Sequence, residues 1–251
     1  EYLNEINSSC EMINNKQNIE LSIIIPCYNE AGNIQLICEK LNTYHKEIQF
    51  ELILVNNGST DQTSEIIDQV SKKFRFIKKV TVQNNIGYGN GILSGIAVAE
   101  ADILAYTHAD LQTPPEDVII GYRKIKREKH DISNILLKGI RLNRQKEDNF
   151  TYLLSKIVRI LLGFNIEDIN GQPKIFHKKL INYFVDVPSD SSFDAFVLYN
   201  ARMAQLELVT FPVEFKNRFY GESHMGPSII GKTKSGIGQL KNILLLSWRN
   251  R

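Results

Sequence analysis

His108, Asp110 and Gln112 alternate along the chain. In an extended segment alternate side chains face one way, so an imidazole, a carboxylate and an amide oxygen can close on one point. That donor set fits a divalent cation such as Mn²⁺ or Mg²⁺. The residues before it, Ile103-Leu104-Ala105-Tyr106, form an apolar run of strand length. The residues after it are Pro114-Pro115-Glu116-Asp117. Proline stops the strand, and the two carboxylates favour a helix start through the helix dipole. The three polar residues therefore sit where a strand leaves its sheet, the edge at which open α/β sheets bind ligands. A polar turn, with Asp110 capping the next helix, is the plainer alternative.

The elements that position this loop are legible on either side. Leu21-Ser22-Ile23-Ile24-Ile25 is a near-continuous β-branched run, as in a strand covered on both faces, and Pro26 is expected to end it. Ile34, Ile37, Cys38 and Leu41 then recur at helical spacing. A second strand, Glu51–Val55, leads into Asn56-Asn57-Gly58-Ser59-Thr60-Asp61, whose last three residues are candidate N-caps. The helix that follows carries Ile66, Ile67, Val70 and Phe74 on one face. A third strand lies near Phe76–Val82. Asn84 to Gly91 is a glycine-rich loop opening a helix with Ile92, Ile96 and Ala99 inward. It is neither a Walker loop nor a dinucleotide fingerprint.

Strand–helix alternation over residues 21–110 predicts an α/β fold, a mostly parallel, doubly wound, Rossmann-like sheet in a single domain. The second half is less regular. Asp131–Leu137 reads as a strand, Lys138–Arg144 as a basic loop, and Phe150, Leu153, Leu154, Ile157 and Leu161 as a helix face. A helix follows Ser192-Phe193-Asp194, a strand runs through Leu208–Phe215, and a polar loop spans Arg218–His224. The boundaries are an arm over 1–20, a domain over 21–236 with halves 21–117 and 118–236, and an amphipathic helix over 237–251.

Hydrophobic residues make up 43% of the 251, enough for a core and too many for disorder. A formal charge of +2 gives no global electrostatic case for nucleic acid. Cys10, Cys27 and Cys38 have no metal-ligand spacing and read as reduced thiols of a cytoplasmic protein. No apolar run approaches the roughly 20 residues of a membrane span. No leader is visible, although the chain starts at Glu1 rather than Met.

His108-Ala109-Asp110-Leu111-Gln112 resembles the Asp-Ala-Asp-Leu-Gln signature of inverting nucleotide-sugar glycosyltransferases with the A-type fold. The dolichyl-phosphate mannosyltransferase-like branch is the nearest resemblance, with His108 in place of the first acidic residue. Pro26-Cys27-Tyr28-Asn29-Glu30 is similar to the family's Pro-x-Tyr-Asn-Glu. Asn56-Asn57-Gly58-Ser59-Thr60-Asp61 resembles Asp-Asp-Gly-Ser-x-Asp, with Asn at both leading positions. Asn85 to Gly91 is similar to Asn-x-Gly-x-Gly-x-Ala. Arg218-Phe219-Tyr220-Gly221-Glu222-Ser223-His224 resembles Arg-x-x-Gly-Glu-Ser-Lys. The resemblance spans residues 21–224.

It implies metal-dependent, inverting transfer of a sugar from a nucleotide-sugar donor to a polyprenyl-phosphate or glycan acceptor, in cell-surface glycan synthesis. Nucleotide contacts fall to Pro26, Tyr28, Glu30, Asn57, Gly87, Ala109, Asp110 and Arg141. The metal, Mn²⁺ or Mg²⁺, falls to Asp110, His108 and Gln112. Arg218 serves the reaction by binding phosphate, and Arg144 adds positive charge. Asp168 and Asp194 match acidic positions, each a general base or a hydrogen-bonding anchor, with Asp168 favoured as the base. Asn57 offers one acceptor and one donor, which suits uracil and, turned over, cytosine. The helix over 237–251, ending in Arg249 and Arg251, implies a peripheral contact with the inner face of the membrane. Two alternatives remain: a nucleotidyltransferase, which lacks its usual glycine- and lysine-rich loop here, and a catalytically inactive nucleotide-binding partner subunit, given Asn56, Asn57 and His108.

Overall fold

β1 (Leu21–Cys27) is buried on both faces, with Ile23 and Ile25 in one core and Ile24 in the other. Successive side chains of a strand point to opposite sides, so an unbroken apolar run needs cover on both. β2 (Phe50–Asn57) divides the same way, Leu52 and Leu54 against Ile53 and Val55. The structure, a computed structural model, describes residues 19–142 and 167–216. The remaining elements are α1 (Ala31–Asn42), α2 (Thr63–Lys73), β3 (Ile77–Val82), α3 (Tyr88–Ile96), β4 (Ile103–Tyr106), α4 (Asp117–Arg127), β5 (Ile135–Leu142), β6 (Lys174–His177), α5 (Phe193–Met203) and β7 (Glu207–Glu214).

The strands form one sheet in the order β3-β2-β1-β4-β6-β5-β7. Neighbours are parallel except at β6, which runs antiparallel to both β4 and β5. Ile34, Ile67, Val118 and Ile119 bring α1, α2 and α4 to one face, while Ile92, Phe193 and Phe196 bring α3 and α5 to the other. This is the expected mostly parallel, doubly wound sheet of a single α/β domain. The reversal of β6 matters for the site. Its start, not its end, shares an edge with the C-terminal ends of β1, β2, β4 and β5.

Some boundaries differ from the sequence reading. Pro26 does not end β1; it pairs in register with Val55, and β4 reaches β1 only at Ser22–Ile24. The missing N–H of the proline therefore leaves no ladder position empty on the β4 side. Asp131 caps a short 3-10 turn, Ile132–Asn134, by accepting the Ser133 N–H, and the strand starts only at Ile135. The segment read as a basic loop is strand as far as Leu142, with Lys138 fully buried. Lysine in a strand interior is unexpected from sequence, and the carboxylates that face it come from distant segments. Arg144, the helix face from Phe150 to Leu161, Arg218, His224 and residues 237–251 lie outside the described residues. Among the described residues, no helix is long and apolar enough to cross a membrane.

Candidate active site

The loop after β4 makes a tight turn at the ligand edge. Leu111 takes a left-handed conformation, φ 57°. A branched residue adopts that only when its surroundings impose it. Asp110 Oδ1 accepts the Gln112 N–H at 3.1 Å, so the carboxylate shapes its own loop and does not cap α4, which begins seven residues later. Asp110 and Ala109 are buried and His108 is half-buried. Burial holds the His108 imidazole below its usual pKa, against the opposing pull of the Asp110 carboxylate. A neutral imidazole keeps a lone pair for a cation. Among the described residues, no three His, Cys, Asp or Glu side chains cluster closely enough to hold a metal alone. One imidazole and one carboxylate fit a cation whose other positions are filled by phosphate oxygens and water, and the nitrogen favours Mn²⁺ over Mg²⁺. Gln112 Nε2 donates to the Lys216 carbonyl at 3.2 Å, and the Gln112 carbonyl accepts the Lys216 N–H at 2.8 Å. The amide expected on the metal thus also fastens the loop to the chain beyond β7.

The side expected to take the nucleotide is built from the ends of β1 and β2 and the start of α3. Asn29, φ 55°, accepts the Thr60 N–H at 2.8 Å and donates its own N–H to Ser59 Oγ at 3.1 Å. Ser59 and Thr60 therefore fasten the two loops together. None of Ser59, Thr60 and Asp61 caps α2, whose N-cap is Gln62 without a side-chain bond; Asp61 closes the turn just before it, its Oδ1 accepting the Thr63 N–H at 3.0 Å. Tyr28 and Glu30 are half-buried on the same wall, and Glu30 Oε2 accepts Asn33 Nδ2 at 2.6 Å. Asn57 Nδ2 donates to the Gly87 carbonyl at 3.0 Å and to Asn85 Oδ1 at 3.3 Å. A carbonyl opposite it fixes which way the amide faces, and Asn57 Oδ1 meets no protein donor among the described residues. Pro26, Asn57 and Gly91 touch, since a Cβ on Gly91 would lie 2.9 Å from Pro26 Cβ and 3.1 Å from Asn57 Nδ2. Gly87 has φ 130°, and a Cβ there would lie 2.3 Å from the Ser189 carbonyl oxygen, so only glycine fits.

Across β4 the edge turns cationic. Arg141, at the end of β5, grips Asp168 with its guanidinium through both carboxylate oxygens, and Asp168 Oδ2 also accepts the Arg141 N–H at 2.9 Å. Burial pushes the Asp168 carboxyl up, but the Arg141 guanidinium outweighs it and holds the pKa below the ordinary value. Lys174 Nζ lies 2.5 Å from Asp194 Oδ1, with both side chains sealed from water. Lys138 stands opposite Lys174 in the β5–β6 register and donates to the Glu167 carbonyl at 2.8 Å. Burial, then repulsion from Lys174, lowers the Lys138 ammonium to about 7. The sequence reading did not single out Lys138, Lys174, Gln172 or Tyr88. For the two lysines the signal was lysine at matching positions of two apolar strands, which takes the register to see. Tyr88 stacks on His108 with ring centroids 5.1 Å apart.

A family model described as glycosyl transferase family 2 matches residues 22–200. The chain belongs to that family. It is 30% identical over 181 residues to an uncharacterised glycosyltransferase of Synechocystis, covering 70% of this chain and 55% of the relative. It is 25% identical over 181 residues to the undecaprenyl-phosphate 4-deoxy-4-formamido-L-arabinose transferase of Photorhabdus laumondii, covering 69% and 54%. The chain spans about half the length of the curated relatives it matches. Glucosyl-3-phosphoglycerate synthase from Mycobacterium tuberculosis, solved with Mn²⁺, uridine diphosphate and glucosyl-3-phosphoglycerate, superposes with TM-score 0.68 at 15% identity. That match covers 92% of this chain and 81% of the other, and it shows the shared glycosyltransferase A-type fold.

Proposed function

We propose that this chain moves a glycosyl group, with inversion, from a nucleotide-sugar donor to an acceptor phosphate on a polyprenyl lipid. The observation that carries the reading is the engagement of both acidic candidates on the acceptor side. Asp168 is gripped by Arg141, and Asp194 by Lys174. A carboxylate committed to a buried cation is a poor general base. A hydroxyl acceptor needs such a base, whereas a phosphate already arrives as an anion. An acceptor phosphate oxygen attacks the anomeric carbon, and the bond from that carbon to the donor diphosphate breaks. The electron pair leaves with the nucleoside diphosphate. The printed name of the Photorhabdus relative, an undecaprenyl-phosphate sugar transferase, supports the same acceptor class.

In this reading Tyr28 and Glu30 line the base and ribose, and Asn57 Oδ1 accepts a donor from the base, as uracil N3–H offers. Pro26, Gly87 and Ala109 let the nucleotide approach closely. Arg141 and Arg218 bind phosphate, and Asp168 holds Arg141 in position. His108 and Asp110, with Gln112 beside them, would hold a divalent cation, which would supply Lewis-acid stabilisation of the leaving diphosphate. Residues 237–251 bring the acceptor half to an anionic membrane surface. The test is transfer from a panel of radiolabelled uridine diphosphate sugars, with Mn²⁺, to undecaprenyl phosphate and to the parent alcohol. Product is expected on the phosphate alone. Equal transfer to the alcohol defeats the reading.

A further inference from the structure

Asp194 lies in the first turn of α5, and one of its oxygens, Oδ1, collects three donors from other parts of the fold. They are the Tyr106 hydroxyl at 2.9 Å from the end of β4, Gln172 Nε2 at 2.9 Å from just before β6, and Lys174 Nζ at 2.5 Å from its start. The Tyr106 and Lys174 contacts stay inside the core. The Gln172 contact is buried as well, but it leads on to a further element. The same Gln172 Nε2 also donates to the Tyr88 hydroxyl at 3.2 Å, and an amide nitrogen has a hydrogen for each acceptor. Gln172 is buried, and its Oε1 meets no protein donor among the described residues. The amide is therefore oriented by its N–H side alone. Tyr88 opens α3, and its ring lies against the His108 imidazole at 5.1 Å between centroids and 29° between planes. An unbroken path thus runs from Asp194 through Gln172 and Tyr88 to His108.

The geometry points to Asp194 and Gln172 as positioning residues: they hold the Tyr88 ring, and that ring sets the plane in which His108 presents its nitrogen to the cation. The ring torsion of a histidine is otherwise broad. A stacked neighbour that is itself tethered removes that freedom before the ligand arrives, as outer partners of metal-bound imidazoles do. This inference rests on the reading of His108 as a metal contact.

The test reads Mn²⁺ binding with uridine diphosphate present, by the electron paramagnetic resonance signal of free Mn²⁺, so turnover is not involved. Tyr88→Phe keeps the ring and deletes only the hydroxyl that Gln172 reaches. It is expected to raise the Kd for Mn²⁺ about tenfold at unchanged Tm. Asp194→Asn and Gln172→Leu are expected to raise it in the same direction. Where either fails to fold, Tyr88→Phe still decides. In a His108→Ala background, Tyr88→Phe is expected to change nothing further. If His108→Ala raises the Kd and Tyr88→Phe does not, the positioning path is overturned while the metal reading stands. The path is also overturned if Tyr88→Phe costs the same factor without His108. If His108→Ala itself leaves the Kd unchanged, His108 is no ligand and both fall.

Discussion

Gln112 and Lys216 exchange two hydrogen bonds, one from the Gln112 side chain to the Lys216 carbonyl and one from the Lys216 N–H to the Gln112 carbonyl. The loop carrying His108 and Asp110 is thereby fastened to the chain just past β7, two residues before Arg218. Gln112→Ala is expected to keep the backbone bond and lose the side-chain one. Amide exchange at residues 213–216 should then quicken severalfold, with Tm shifted by no more than ~4 °C, because one neutral hydrogen bond contributes about 1 kcal/mol. Unchanged exchange at those amides would mean that the side chain serves only the cation.

Asp110→Asn removes the one anionic ligand proposed in the loop while keeping its shape. Metal-dependent turnover is expected to fall at least 100-fold, with the circular dichroism of the fold intact. His108→Asp replaces nitrogen by oxygen, so the ratio of Mn²⁺- to Mg²⁺-supported activity should shrink. An unchanged ratio removes His108 from the ligand set.

Asp168→Asn distinguishes a base from an anchor. With the carboxylate gone, Arg141 loses its charged grip but keeps its strand position. The expected result is a KM for acceptor raised about tenfold, with a smaller change in kcat. A loss confined to kcat, together with a vanished acid limb in the pH profile, would restore Asp168 as the base.

Lys174→Met leaves Asp194 without its cation in a place water does not reach. Breaking a buried pair by removing one partner is expected to cost about 3–5 kcal/mol in urea unfolding, and Lys174→Met combined with Asp194→Leu much less. Equal losses in the single and double variants would show that the pair contributes nothing as a pair.

Asp117 gives the pH prediction. Burial, then the nearby Glu116 and Glu214, pushes its carboxyl up to about 7, and among the described residues its Oδ2 has no hydrogen-bond partner. A folded-state pKa above the unfolded one means that the folded protein binds more protons between about pH 4 and 7. This group's contribution is therefore fully present below pH 4 and lost as pH rises through 7. Asp117→Asn does not titrate. Its stability relative to wild type should rise by roughly 2–4 kcal/mol between pH 4 and pH 8, measured by urea unfolding at each pH. A pH-independent difference would contradict the perturbed carboxyl.

How far the sequence reached depends on where each signal is stored. Ile23 to Ile25 and Leu52 to Val55 declare buried strands locally, because every residue in the run is apolar. The His108 loop is equally local: strand, donor set and double proline follow one another in sequence. The cationic half is not local. Arg141 finds Asp168 across residues 143–166, and Lys174 finds Asp194 only once α5 has folded onto the sheet. Lys138 looked like loop because lysine seldom enters a strand interior, and its burial is tolerable only with Asp168 and Asp194 nearby. Tyr88 was read as part of a glycine-rich loop, since stacking on His108 depends on where α3 lands relative to β4.

The reversed direction of β6 has one more consequence. The middle of β5, at Lys138, pairs with the start of β6, at Lys174, so the chain that leaves β5 after Leu142 must return beside that strand by residue 174. Closing such a stretch costs entropy that grows only with the logarithm of its length, about 0.6 kcal/mol for each doubling. By this measure a change of length between Leu142 and Glu167, clear of Asp168 and Gln172, is expected to cost the β5–β6 pairing little. In the proposed reading such a change would enlarge or trim the acceptor side alone, since the donor side is assigned to the turns after β1, β2 and β4.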